Sequence, residues 1–362
     1  MNGYPIGLHK WDLDTPALCL DAPALEQNIS RMAKYFAERP ASLRPHSKTH
    51  KCPTIAWMQL RAGAIGITCA KLAEAEVMAQ AGIRDILIAN QIVGIRKISR
   101  LVNLAAYSEV MVAVDDPANA EDLSAAAQAK GVRLRVLLEI DVGMGRCGVA
   151  PGEEALALAR RVSELPGLCL EGIMGYEGHA VMIPDFEERR RVTEEAMAKL
   201  VSVRDLLEEK GIEVKIVSGG GTGTYTITGN YPGVTEVQAG SYATMDGQYR
   251  RVGIDFAPAL TVVARVISVR GDRAIIDAGL KTLTPEFGMA EVVHPEGWEL
   301  TRLSEEHGFL RRKGGPELHS GDPVELIPSH GCTTINLHDE YYVVRDDVVE
   351  AVWPIAARGC IR

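Results

Sequence analysis

The stretch Arg44-Pro45-His46-Ser47-Lys48-Thr49-His50-Lys51 surrounds a lysine with cationic and titratable side chains, directly after an apolar, strand-like run. Such neighbours, together with partial burial, favour the neutral amine, which is the form that attacks a carbonyl carbon. Lys48 is therefore a candidate Schiff-base nucleophile. On these eight residues alone a basic surface turn is the simpler reading, and what reverses it lies elsewhere in the chain.

The run Ser218-Gly219-Gly220-Gly221-Thr222-Gly223-Thr224 has the composition of a phosphate loop. Glycines let backbone N–H groups approach an anion, and a threonine hydroxyl adds a donor. Gly-Lys-Ser/Thr is missing, so it is not a Walker A loop. A second turn, Gln238-Ala239-Gly240-Ser241-Tyr242, offers Gly240, Ser241 and Tyr242 to the same phosphate. A tight strand-to-helix turn is the competing reading for each. The third constellation is Pro328-Ser329-His330-Gly331-Cys332. In an extended segment His330 and Cys332 would face one side and could grip one metal ion, with imidazole and thiolate suiting zinc and similar ions. Standing alone, a packed cysteine beside an ordinary histidine explains that pair better.

Elements must bring these groups together. Residues 15–20, 43–48, 65–70, 85–90, 110–114, 134–140, 170–176 and 214–218 read as strands, and residues 22–37, 72–81, 118–130, 153–163 and 186–210 have helical composition and period. Strands alternating with helices imply a parallel sheet, and at this length a closed (β/α)8 TIM-like barrel is the economical α/β solution. Several of these strands end in polar or glycine-rich residues, where such a barrel builds its site: His46-Ser47-Lys48, Asn90-Gln91, Glu139-Ile140-Asp141 and Tyr176-Glu177-Gly178-His179. After about residue 256 short strands linked by Gly, Asp and Pro turns replace the helical period. The expected division is a barrel over 15–255 and a smaller β-rich domain from 1–14 with 256–362.

The 362 residues carry a net charge of −9 and 24% charged residues, those of an ordinary globular protein without a global footprint for nucleic acid or an anionic membrane. The first residues lack a charged region followed by an apolar one, and no apolar run approaches membrane-spanning length, so a cytoplasmic protein is expected. Seven scattered cysteines fit reduced thiols better than a disulfide framework.

Taken together, these pieces resemble the D-threonine aldolase and D-serine dehydratase family, which shares its barrel with the alanine racemases among fold type III pyridoxal 5′-phosphate (PLP) enzymes. The match is carried by Asp14-Thr15-Pro16, Arg44 to Lys48, Asp141-Val142-Gly143, Gly145-Arg146-Cys147-Gly148-Val149, Ser218 to Gly223, Gln238 to Tyr242, Asp277-Ala278-Gly279-Leu280-Lys281, Glu306-His307-Gly308, His330-Gly331-Cys332 and Asn336-Leu337-His338-Asp339. It runs nearly end to end and in order.

The resemblance implies that Lys48 is joined covalently to PLP, that Arg146 contacts the ring's phenolic oxygen and that Tyr176 borders the ring. Gly220, Gly221, Thr222, Gly240, Ser241 and Tyr242 would hold the phosphate, and His330 and Cys332 a divalent metal, zinc or manganese, beside the β-hydroxyl of a D-amino acid. It also implies a homodimer. The expected reaction is retro-aldol cleavage of a D-β-hydroxy-α-amino acid, with dehydration to a keto acid and ammonia as the alternative; a racemase or a PLP-carrier protein is more remote. Family aldolases generally show Asp where this chain has Cys332, whereas the dehydratases resemble it there. Glu177 and His179 are candidates for the general base, or else bound a solvated loop.

Overall fold

The computed structural model describes residues 5–362. The chain forms two compact units: residues 32–48, 55–240 and 360–362 make one, and residues up to 31, 49–54 and 241–359 the other.

The first unit is built on eight parallel strands. In hydrogen-bonded order they are Ser42–Leu43, Glu236–Val237, Ile216–Gly219, Leu168–Met174, Leu134–Glu139, Glu109–Val114, Asp85–Gln91 and Ile67–Cys69. A parallel bridge between His46 and Thr68 joins the two ends of that order, so the ring closes. Leu87, Met111, Ala113, Leu137 and Met174 form one buried cluster of this core. Strands this apolar need cover on both faces: the closed ring packs its inner face on itself, and the intervening helices cover the outer one. Their ends follow local rules. Asp116 caps the helix Pro117–Lys130 by accepting the Asn119 amide, proline stands in the first turn, and Gly131 stops it at φ 75°. Asp185 caps the long helix Phe186–Glu209 in the same way.

Arg44 braces the closing seam. It is 3% exposed, and its guanidinium reaches Glu236 at 2.8 Å and Asp85 at 2.6 Å. Gly66 is required beside it, because a Cβ there would overlap the guanidinium. Arg44 is thus neutralised by two carboxylates and is not the cationic neighbour of Lys48 that the sequence suggested.

The second unit is a nine-stranded sheet. Its main path runs Trp298–Leu303, Gly308–Arg312, Arg273–Ile276, Leu260–Arg270, Ala17–Asp21, Glu340–Arg345 and Val348–Pro354, with Pro323–Ile327 and Glu291–His294 branching from Leu260–Arg270. The strand expected to open the barrel is here instead. Ala17–Asp21 pairs antiparallel with Leu260–Arg270 and parallel with Glu340–Arg345, and the barrel ring takes Glu236–Val237 in its place. A short strand with four consecutive buried residues satisfies any sheet that covers both faces, and its own period cannot say which. Leu13, Ala17, Cys19, Val263, Val344 and Val349 make its local core.

Candidate active site

Lys48 ends a barrel segment, just beyond the closing bridge at His46. Its neighbours His46, Ser47, Thr49, His50 and Lys51 are all buried, which a basic surface turn would not be. Lys48 Nζ lies 5.7 Å from the centroid of the Tyr176 ring, and the Arg146 guanidinium lies 5.7 Å from the same ring. An amine, an aromatic face and a guanidinium therefore converge.

The loop carrying Arg146 is shaped from within. Asp141 accepts the amides of Gly143 at 2.9 Å and Gly145 at 3.1 Å, and these bonds, Gly145 first, hold its carboxyl below the usual range. Gly148 donates to Asp115 at 2.9 Å. Behind Arg146 stands Glu139, 3.7 Å from the guanidinium and bonded by Gln91 at 2.5 Å. Burial pushes the Glu139 carboxyl up, and those two partners offset the rise only in part.

Glu177 and His179 are treated differently by the fold. Glu177 is fully buried and accepts hydrogen bonds from the Gly220 amide at 3.0 Å, Thr224 Oγ1 at 2.7 Å and Thr228 Oγ1 at 2.5 Å. It is a brace for the glycine-rich loop, and it occupies the Gly220 amide that the sequence offered to a phosphate. His179 is exposed, beside Gly143. The loop itself is tightly seated: a Cβ on Gly223 would overlap the Val181 carbonyl, and one on Gly221 would press on Tyr176 at 3.3 Å. The Gly221 amide donates to Thr224 at 3.1 Å, and Thr222 is 1% exposed.

The turn at Gly240, Ser241 and Tyr242 coincides with a passage of the chain from one unit to the other, between 240 and 241. Ser241 Oγ is 3.8 Å from Cys332 Sγ. The Tyr242 ring is wholly buried, 5.6 Å from that of Phe256, in the core of the strand-rich unit.

His330 and Cys332 do not lie in an extended segment. His330 is the N-cap of the short helix Gly331–Ile335, whose turn includes Cys332. The two side chains nevertheless meet and are hydrogen-bonded. His330 Nδ1 is 3.1 Å from Asp246 Oδ2, and Cys332 donates to Thr49 Oγ1 at 3.4 Å. Burial lowers the His330 pKa, but the bonds to Asp246 and Cys332 outweigh it and push it up to about 10. No group of three or more His, Cys, Asp or Glu side chains suited to a metal occurs among the described residues. The donor set is thus one imidazole and one thiol, which fits a borderline-soft ion that keeps open positions. Asp246 was not foreseen from the sequence; nothing local distinguishes it from a helix cap.

The family model "Alanine racemase, N-terminal domain" matches residues 20–248, across the lysine, Arg146 and the glycine-rich loop. The chain belongs to that family. A second model, "Putative serine dehydratase domain", matches residues 259–344 of this family member. The chain is similar to a D-threonine aldolase of Arthrobacter sp, 42% identical over 97% of this chain and 94% of that protein. It is 38% identical to a 3-hydroxy-D-aspartate aldolase of Paracoccus denitrificans strain Pd 1222, over 99% and 96%, and 31% identical to a D-threo-3-hydroxyaspartate dehydratase of Delftia sp. strain HT23, over 94% and 97%. The crystal structure of D-threonine aldolase from Filomicrobium marinum superimposes with a TM-score of 0.96 at 38% identity, covering 99% of this chain and 100% of that one. A metal-free form of a D-threo-3-hydroxyaspartate dehydratase mutant gives 0.88 at 30% identity, over 96% and 98%.

This family member is an enzyme, a PLP-dependent lyase. PLP follows from the fold family, and the residues present fit it: an amine and a guanidinium flank one aromatic ring, and a close-packed glycine loop lies in the same unit. No helix among the described residues is long and apolar enough to cross a membrane.

Proposed function

We propose that the chain is a PLP- and divalent-metal-dependent lyase that cleaves D-threonine-type D-β-hydroxy-α-amino acids to glycine and an aldehyde. The observation that carries this reading is the convergence of Lys48 and Arg146 on the Tyr176 ring in a chain similar over nearly its whole length to two aldolases. PLP, when bound, would accept the electron pair left at the substrate Cα as a bond to it breaks. Lys48 supplies the amine that a cofactor aldehyde requires and takes or returns the proton at Cα. Tyr176 would border the cofactor ring and orient it, and Arg146, braced by Glu139, would supply positive charge at a ring oxygen. Thr222 and Gly240 are assigned to the phosphate, with Ser241 and Tyr242 following Gly240. Gly220 and Gly221 contribute shape, since their amides are spent on Glu177 and Thr224.

His330 and Cys332 would hold a zinc or manganese ion whose Lewis acidity acts on the β-hydroxyl. Of the two candidate bases, exposed His179 is placed to exchange a proton with water, whereas buried Glu177 is engaged by three donors. His179 is therefore assigned the β-hydroxyl proton. A homodimer, implied by the resemblance, belongs to this proposal and is read by light scattering.

One observation favours dehydration to a keto acid and ammonia: Cys332 stands beside His330, as in the dehydratases that this chain resembles at that position. Mass spectrometry of products from D-threonine and D-serine, with the PLP- and metal-loaded protein, separates the two. Glycine and acetaldehyde from D-threonine uphold the aldolase assignment, and a keto acid with ammonia replaces it with the dehydratase one.

A further inference from the structure

Asp246 is 1% exposed, and all of its carboxylate contacts are directed. Oδ1 accepts the Tyr249 amide at 2.9 Å, capping the helix Gly247–Arg251, and Oδ2 accepts the Gly331 amide at 3.0 Å while lying 3.1 Å from His330 Nδ1. Two backbone amides thus clamp the carboxylate in one orientation, aimed at one ring nitrogen. Phe287 meets the same imidazole edge to face at 4.9 Å, so the ring is fixed in plane as well as in hydrogen bonding.

A carboxylate on Nδ1 keeps a proton there, so that a cation displacing the other proton meets the lone pair on Nε2. It also raises the basicity of that nitrogen as a ligand. We propose that Asp246 is the positioning residue of the metal site, selecting the His330 tautomer that presents Nε2 to a divalent cation. This rests on the reading of His330 and Cys332 as metal ligands. A cap alone would need only the contact to Tyr249. The second oxygen serves the segment that carries both ligands, and serves it at two points, the His330 ring and the Gly331 amide.

Asp246→Asn removes the charge that faces His330. Asparagine has a single carbonyl oxygen, which can accept from the Tyr249 or the Gly331 amide but not from both, so one of those bonds is lost together with the charge facing His330. Zinc chloride is titrated calorimetrically into PLP-loaded, chelator-treated protein, alongside His330→Ala. The expected result is about 10- to 100-fold weaker zinc binding in Asp246→Asn, with the PLP absorption close to that of the parent and a lower metal-free melting temperature from the lost amide bond. The cobalt(II)-loaded variant should also show an altered ligand-field spectrum. Zinc affinity within twofold of the parent, whatever the melting temperature, overturns the role of Asp246 when His330→Ala abolishes binding. If the parent binds no zinc, or His330→Ala binds it equally, the metal assignment itself falls and the inference with it.

Discussion

The Gly220 amide donates to Glu177 at 3.0 Å, and the same carboxylate takes the hydroxyls of Thr224 and Thr228. A buried acid thereby holds two points of the glycine-rich loop and the end of the short helix that follows it. Glu177→Ala leaves those donors without an acceptor, at a cost of about 1–3 kcal/mol for each buried polar group stranded. Weaker PLP retention on dialysis and a lower melting temperature are expected together, with Glu177→Gln intermediate. Unchanged PLP affinity in Glu177→Ala would show that the loop does not serve the phosphate.

Lys48→Ala should abolish both turnover and the visible absorption of bound PLP. Borohydride reduction followed by peptide mapping should find the label on Lys48 in the parent. Retention of activity in the variant removes the lysine from the mechanism.

Arg44 joins Glu236 and Asp85 where the ring closes. Arg44→Met strands a buried carboxylate at Glu236 and should cost about 3–5 kcal/mol, read by urea denaturation. The double variant Arg44→Met with Glu236→Gln should recover much of that loss, because the unpaired charge is gone. No recovery would mean that packing rather than charge sets the cost.

Glu139 predicts a pH dependence of stability. Its folded pKa is raised by burial above the ordinary 4.5, so its contribution is fully present below that value and is lost as pH rises through the folded pKa. Glu139→Gln does not ionise. The melting temperature of the variant should therefore gain on the parent from about pH 4 upward and level off once the parent carboxyl is charged. A difference that is flat across this range would show that the folded and unfolded pKa values coincide.

Chelation should remove activity while sparing the PLP spectrum, and Cys332→Ala should lower zinc content with the same spectral result. A variant as active as the parent after exhaustive chelation would eliminate the metal from the reaction.

Much of this was legible along the chain. The polar strand end at Lys48, the glycine-rich run after Ile216–Gly219 and the His330–Cys332 pair each consist of near neighbours, so composition and order exposed them. Helix limits were readable for the same reason, since caps such as Asp116 and Asp185 act on amides three residues away. The strand Trp298–Leu303 carries a readable period of two: buried Trp298 and Leu300 alternate with exposed Glu299 and Thr301.

What only the folded chain decided are the relations between distant residues. Residues 17–21 form a strand on local grounds, yet its partners lie near residues 260 and 342. Asp246 looks like any helix cap until its second oxygen is found at His330, and Glu177 looks like a free base until the loop folds over it. A hydrogen bond depends on distance and direction in space, whereas a side chain's period and composition report only which surface it prefers. The partner on the other side of that surface is chosen when sheets close and loops are seated, and no local pattern records the choice.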